Sequence, residues 1–313
     1  MIKSNINLFL NNNPSCYTKL ENIAKKQVWD MKNEPYIYIE GIGFENGSKR
    51  LKLIFKDQII FNEKIDIIDN YFELKITLQR PLNNPNEIIV DIDDREYNID
   101  INLNKLYGNV KYFNGQPVKN PVISVTKEDI VTIGDEKGNY EIYLSEKVKQ
   151  IGIFEKNYSK ETLEAWIYNI NIEEDCNLEI QIDQMEVYGV NMWGGQVSDY
   201  IHFTPMSLNR AKKGIKDNLG NELDLLKDKN IWPKLNEESI RVFADNESLE
   251  ILSITEVPDF LGEIEKERYY RPSYILSIPK GNKGKVIKIQ IQHIININNN
   301  EIVEKGEGYY IWK

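Results

Sequence analysis

The chain carries two histidines, His202 and His293, so chemistry that needs a proton carrier near neutral pH rests on them. His293 shares a strand face with Ile287, Ile289 and Ile291 and reads as a packed or edge histidine. His202 lies between Tyr200 and Thr204 on one face of a short strand, soon after Trp193 and Asp199, and is the better functional candidate. Neither has a second His, Cys or carboxylate at metal-ligand spacing, so no metal site is expected. Gly-x-Ser-x-Gly, Walker and Rossmann motifs are absent, and no cofactor is implied. The 49 acidic residues still allow a hydrolase built on two distant carboxylates, a pair that spacing does not place. No catalytic residue is assigned.

The second constellation is aromatic. Trp193-Gly-Gly-Gln-Val-Ser-Asp199-Tyr200 sets two aromatics, two glycines, an amide and a carboxylate in one loop, and Arg268-Tyr269-Tyr270-Arg271 sets cations beside aromatics in another. Saccharide recognition uses flat rings against sugar C–H faces, with amides, carboxylates and Arg on the hydroxyls. The expected ligand site is therefore Trp193, Asp199, Tyr200 and His202 together with Arg268, Tyr269, Tyr270 and Arg271. The competing reading is that these rings pack sandwich edges, since aromatics are favoured in strands. Asp91, Asp93, Asp94 and Asp100 offer oxygen ligands for calcium but lack the Gly and terminal Glu of an EF-hand loop. A solvated hairpin turn with Arg95 as counter-charge is the simpler reading.

The elements that must position these groups are legible first in the stretch Leu106–Leu144. Gly108-Asn-Val-Lys-Tyr-Phe113 is extended, Asn114-Gly115 is a hairpin signal, and Val122, Ser124 and Thr126 alternate with Ile123 and Val125. Pro117 and Pro121 give no amide hydrogen and belong at a strand start or sheet edge. Asp135-Glu-Lys-Gly138-Asn reads as a turn, after which Tyr140, Ile142 and Leu144 share one face. This order of Gly-x-Val, Gly-x-Pro-Val, a β-branched strand and Asp-x-x-Gly-x-Tyr resembles the carboxypeptidase regulatory-like domain, a transthyretin-like β-sandwich. The resemblance covers about residues 105–184. It implies an accessory or scaffold module with no catalytic residues of its own.

Elsewhere, Ser15–Lys32 has Tyr17, Leu20, Ile23, Ala24 and Val28 at helical spacing and predicts a helix, with a strand through Gln27-Val-Trp-Asp30 as the alternative. From Pro35 the period becomes two, in runs around Tyr36–Glu40, Leu51–Phe55, Phe72–Ile76, Ile88–Ile92 and Tyr97–Ile101, which predicts an immunoglobulin-like sandwich. Met185–Trp193, Tyr200–Thr204, Ile240–Phe243, Glu250–Thr255, Tyr274–Ile278, Lys285–Ile294 and Tyr309–Trp312 predict a third sandwich with longer loops, and Ser207–Lys213 a turn of helix. Asp217-Asn-Leu-Gly220-Asn repeats the central turn chemistry. The expected fold is all-β: an N-terminal arm or helix (1–33) and three tandem antiparallel sandwiches (34–104, 105–184, 185–313).

A length of 313 residues suits two or three domains, and 41% hydrophobic with 28% charged residues suits a folded protein. The formal charge of −10 disfavours nucleic acid and anionic membranes. Cys16 and Cys176 allow one disulfide without requiring it. The apolar start is broken by Asn and reads as neither a signal peptide nor a span, so the chain as written stays in the cytosol unless another route takes it to a surface, spore or particle. These observations lead to a non-catalytic module for binding, adhesion or assembly, with a glycan or another protein as partner. The alternatives are a polysaccharide-acting enzyme using His202, and a self-assembling structural protein.

Overall fold

The computed structural model describes residues 4–22, 27–125, 130–145, 147–171, 173–217, 231–264, 266–297 and 300–312. The fold is all-β. Its first strands are β1 (Asn5–Asn11), β2 (Cys16–Asn22), β3 (Gln27–Asn33), β4 (Tyr36–Ile42), β5 (Gly47–Phe55), β6 (Gln58–Ile67), β7 (Tyr71–Thr77), β8 (Glu87–Ile92) and β9 (Arg95–Asp100). A three-stranded sheet, β1-β4-β7, packs on a four-stranded one, β6-β5-β8-β9. Period-two patterning sends Ile37, Ile39, Leu51, Leu53, Phe72, Ile88 and Val90 into the core between them. The two-residue hairpin turns Asp69-Asn70 and Asp93-Asp94 have φ between 50° and 65°. Asp and Asn tolerate that left-handed region better than other non-glycine residues, which explains their choice there.

The helix expected over Ser15–Lys32 is absent: β2 and β3 form an antiparallel hairpin with Leu20 opposite Trp29. Leu20 is fully buried, and Trp29 stacks on Tyr158 at 5.5 Å. Tertiary burial of alternate residues has overridden a spacing that also fits a helix. Buried asparagines fix the hairpin: Asn11 Nδ2 donates to Asn33 Oδ1 (2.8 Å), and Asn33 Nδ2 donates to the carbonyls of Asn13 and Pro14 (2.9 and 2.8 Å). The expected arm residues Asn5–Asn11 are edge strand β1, paired with β4.

The central unit contains β10 (Asn104–Tyr112), β11 (Val122–Val125), β12 (Ile130–Ile133), β13 (Asn139–Leu144), β14 (Val148–Phe154), β15 (Ala165–Ile170), β16 (Cys176–Asn177) and β17 (Ile180–Ile182). Tyr140, Ile142 and Leu144 are buried together, as their alternation requires. Asp135 Oδ1 accepts from the amides of Lys137 and Asn139, both at 2.8 Å. Gly138 has φ +83° and passes so close to β10 that an added Cβ would lie 2.4 Å from the Val110 carbonyl oxygen. Asn114-Gly115, expected to close a hairpin, turns the chain between layers. Only the Lys111–Pro117 bridge pairs across it, after which β10 joins β13 while β11 joins β12 and β14. Thr126 lies outside the described residues.

The last elements are β18 (Met185–Gly194), β19 (Ser198–Ser207), α1 (Leu208–Asp217), β20 (Ile240–Ala244), β21 (Glu247–Leu249), β22 (Ser253–Ile264), β23 (Glu267–Pro279), β24 (Lys285–Ile297) and β25 (Asn300–Trp312). A sheet β18-β19-β23-β22 covers a second layer in which β25 pairs in parallel with β15, Trp166 opposite Gly308. The central and C-terminal regions therefore share one eight-stranded sheet, β12-β11-β14-β15-β25-β24-β20-β21. Gly306 and Gly308 let β18 lie close over β25: an added Cβ would meet the Met185 oxygen at 2.3 Å and Val187 Cβ at 2.7 Å, respectively. Ser207 starts α1, its Oγ accepting from the Arg210 amide (3.2 Å) and donating to Glu304 (2.6 Å). The repeat turn expected after Asp217 lies outside the described residues. No described helix is long and apolar enough to cross a membrane.

Candidate functional site

The outer face of the sheet β18-β19-β23-β22 carries most of the candidate residues. Along β18, Met185, Val187, Val190 and Met192 enter the core, and a bulge between Tyr188 and Asn191 keeps Tyr188, Asn191 and Trp193 on the opposite face. Register then builds rows across the strands. Trp193 stands opposite Tyr200, and Tyr200 opposite Ser277; Asn191 stands opposite His202, and His202 opposite Ile275. The rings of Trp193 and Tyr200 stack, centroids 5.6 Å apart and planes at 19°. Stacking engages one indole face, and Trp193 remains 40% exposed. The expected loop is thus a hairpin whose two aromatics meet across paired strands.

Asp199 has a different role from the one expected. It is 2% exposed, and its Oδ2 accepts from the amides of Gly281 (3.0 Å) and Asn282 (3.2 Å). It holds the β23–β24 connection beside the Trp193 hairpin. Asp199→Ala leaves the buried Asn282 N–H unpaired, and at about 1–3 kcal/mol for such a group the thermal midpoint is expected to fall by roughly 4–8 °C. Asp199→Asn, which keeps an acceptor, is expected to lose less. An unchanged melting curve for the alanine variant would contradict this role.

Arg268-Tyr-Tyr-Arg271 lies on β23 rather than in a loop, so successive residues take opposite faces and the four do not form one cluster. Tyr269 and Arg271 share the parity of His202's partner Ile275, while Tyr270 pairs with Phe260, ring centroids 5.7 Å apart. Arg271 is bonded to Asp259 (2.8 Å) and lies over the Tyr188 ring at 5.7 Å. Arg268 pairs with Glu263 (3.1 Å) at the surface, and Tyr269 Oη donates to Glu267 (2.7 Å).

Behind Arg271 is a feature that sequence reading missed. Glu164 and Glu186 are each 6% exposed and lie side by side where the central unit meets β18. Tyr158 Oη donates to Glu164 Oε1 (3.2 Å), while Glu164 Oε2 and Trp166 Nε1 have no well-formed partner. Burial raises the pKa of both carboxyls; for Glu186 the charge of Glu164 raises it further and Arg271 partly offsets this. Phe154, Tyr158, Trp166 and Tyr188 wall the pair in, with edge-to-face contacts of 5.3–5.9 Å. Glu164-Ala-Trp and Glu186-Val-Tyr read in sequence as ordinary strand alternation, and only the packing of two units brings them together.

The remaining candidates resolve as structural. His293 Nε2 accepts from Arg210 Nε (3.1 Å), and burial followed by the Arg210 charge lowers its pKa. Asp93-Asp94 form the β8–β9 turn, with Lys49 on Asp93 (3.2 Å) and Lys52 on Asp91 and Asp94 (2.8 and 3.1 Å) as counter-charges; Arg95 instead lies over Tyr97. Cys16 and Cys176 are free thiols. Among the described residues no group of three or more His, Cys, Asp or Glu side chains could hold a metal. His202 stands between Asn191 and Ile275 as its direct cross-strand partners. Clefts of about 520, 860, 140 and 600 Å³ include neither His202 nor the Trp193 and Arg268–Arg271 groups in their lining, while Asp93 and Arg95 border the one of 860 Å³.

No family model matches the chain, and no curated protein matches it. Among solved structures it is similar to a "putative carbohydrate binding protein" from Bacteroides uniformis, at 11% identity over 66% of this chain and 97% of that one, with a TM-score of 0.20. It is also similar to DUF3823 family proteins from Bacteroides ovatus (11% identity, 67% and 100% covered, TM-score 0.20) and Parabacteroides merdae (10%, 67% and 100%, 0.19). Likeness at this level carries no functional argument.

Proposed function

We propose that this chain is a non-catalytic binding protein that meets a saccharide on the outer face of β18-β19-β23-β22. The observation that carries the reading is the exposed Trp193 ring, stacked on Tyr200 and backed by a paired sheet. A rigid ring offers a flat apolar surface at little entropic cost, and Asn191 and His202 in the adjacent row supply polar groups for hydroxyls. Tyr269 and Arg271 extend the same face, while Asp199 shapes the turn from within. In this reading β1 with residues 34–104 is one module, while residues 105–184, of carboxypeptidase regulatory-like kind, and 185–313 are joined through their common sheet.

Trp193→Ala is expected to weaken binding of a neutral oligosaccharide at least tenfold by calorimetry, with the fold retained because the ring lies outside the core and only its stack on Tyr200 is lost. Affinity that survives the substitution would remove this face from consideration. A second reading, self-assembly, is favoured by exposed apolar pairs on two long hairpins: Phe260 opposite Tyr270 and Ile294 opposite Val303. Sedimentation over a hundredfold concentration range separates the two readings, since assembly alone predicts growing particles.

A further inference from the structure

A second constellation lies on the first sandwich, far along the chain from Trp193. The outer face of β1-β4-β7 presents Phe9, Tyr38 and Lys75 in one row, Tyr36 and Thr77 in the next, and Asn7, Glu40 and Glu73 on the other side. Two clefts, of about 600 and 520 Å³, run over this face and share Tyr36 and Lys75 as lining. The larger is bounded by Asn7, Phe9, Tyr38 and Glu40; the smaller is closed by Trp29 and Lys32 of β3 and by Ser124 and Val131 of the central unit. Each falls in the size range of small-ligand sites. Together they follow β4 from Glu40 to Tyr36, roughly 14 Å at strand rise.

The chemistry of the walls selects among ligands. Aromatic surfaces come from Tyr36, Tyr38, Phe9 and Trp29, with Lys75 Nζ 4.0 Å above the Tyr36 ring centre. Beside the cleft Tyr38 Oη donates to Glu73 (2.8 Å), with Glu40 3.2 Å away, and Tyr71 Oη also donates to Glu73 (2.8 Å), so two phenols fix one carboxylate in place. Those bonds lower the pKa of the Glu73 carboxyl and so favour its ionised, accepting form. Charges at the other end are matched within the protein, Lys32 to Glu34 (2.7 Å) and Asp30 to Lys19 (3.4 Å). A cleft with ring faces, fixed acceptors and ion-paired charges at its β3 end suits a neutral polyhydroxylated ligand better than an ion.

We propose that this cleft is a saccharide-binding site in its own right, separate from the Trp193 face and taking a neutral glycan chain along β4. The site stands on its own residues, so it is tested with the Trp193→Ala protein as background. Neutral hexasaccharides of glucose, xylose and mannose, an oligogalacturonate and an oligolysine are titrated into the full chain carrying Trp193→Ala. The readouts are calorimetry and acrylamide quenching of Trp29, compared with a Trp29→Phe control. The expected result is saturable binding of a neutral hexasaccharide that shields Trp29, weakened at least tenfold by Tyr38→Ala. Lys75→Ala, at an exposed position that leaves the core intact, is expected to weaken it severalfold.

Tyr38→Phe separates the ring from its hydroxyl and should keep part of the affinity while loosening Glu73. Saturable binding by the oligogalacturonate or oligolysine alone would overturn the assignment of ligand class. Neutral binding indifferent to both Tyr38→Ala and Lys75→Ala, or no neutral binding in a protein that melts normally, would overturn the site. Loss of all binding on Trp193→Ala alone leaves the Trp193 face standing and sinks the cleft. Binding that persists until Tyr38→Ala is added does the reverse for exclusive use of the Trp193 face.

Discussion

Gly306→Ala is expected to lower the thermal midpoint by roughly 6–12 °C, the equivalent of about 3 kcal/mol in a unit of this size. The new methyl would sit 2.3 Å from the Met185 carbonyl oxygen and 2.9 Å from Met185 Cβ, where no flexible side-chain end can yield. Relief requires β18 to lift from β25, and that opens the core beneath Val187, Phe203 and Ile289. Gly194→Ala is the control: its nearest neighbour would be Asp199 Oδ1 at an ordinary 3.7 Å, so a change within about 0.5 kcal/mol is expected. Melting curves of the two variants decide the matter. Equal midpoints would mean that the sheets are not in rigid contact at Gly306.

The second large effect is a pH dependence with an unusual sign. Glu164 and Glu186 are buried together, so the folded state favours a proton that the unfolded chain releases near pH 4.3. A pKa raised by folding gives stability that is complete below the unfolded value and is lost as pH rises through the folded one. Asp183, pushed up to about 6 by burial, adds the same dependence between about pH 4 and 6, and buried Glu304 and Glu307 act in the same direction. His293 opposes them, because its lowered pKa costs stability as pH falls below about 6.5. Tyr158, Tyr168, Trp166 and Arg271 complete the surroundings of the pair, and the three other than Arg271 carry no charge in this range.

Glu186→Gln isolates the pair from those other groups, since its amide donates permanently what the shared proton donates only when present. Relative to the parent, the variant is expected to gain roughly 2–6 °C at pH 8, about 1–2 kcal/mol, and to gain nothing at pH 5. Differential scanning at half-unit pH steps measures the difference. Parallel profiles for the two proteins would show that the carboxyls do not share a proton.

Much of the strand content was legible because burial on one face leaves a period of two, as in Tyr140-x-Ile142-x-Leu144. The Asp135-to-Asn139 turn was legible for a local reason, since Asp135 bonds the turn's own backbone. Over Ser15–Lys32 the strand alternative through Gln27–Asp30 prevails over the helix: Leu20 is buried while Tyr17 and Val28, which share its helical spacing, are exposed on the other face, and the deciding contacts come from Asn11, Tyr158 and the central unit. Strand β25 was read only from Tyr309, because Glu304-Lys-Gly-Glu-Gly308 lacks strand-favouring residues; its place depends on close approach to β18. Of the site, the Trp193–Tyr200 pair was visible as spacing, and its stacking follows from hairpin register. Arg268–Arg271 looked like a cluster in one dimension, and the pleat divides it. Tyr36 and Tyr38 were visible as strand residues, but the cleft beside them also needs Ser124 and Val131, nearly a hundred positions further along the chain.

The parallel pairing of β15 with β25 has a consequence for biosynthesis. Asn169 and Ile311, bonded across that junction, are 142 positions apart. At about 5–20 residues per second, the ribosome needs roughly 7–28 s after making β15 to deliver its neighbour. During that interval the central sheet ends in an open edge bearing Trp166, Ile167 and Tyr168. The nascent chain therefore passes through a stage at which its middle is shaped but unfinished, and its final strand closes two cores in a single event.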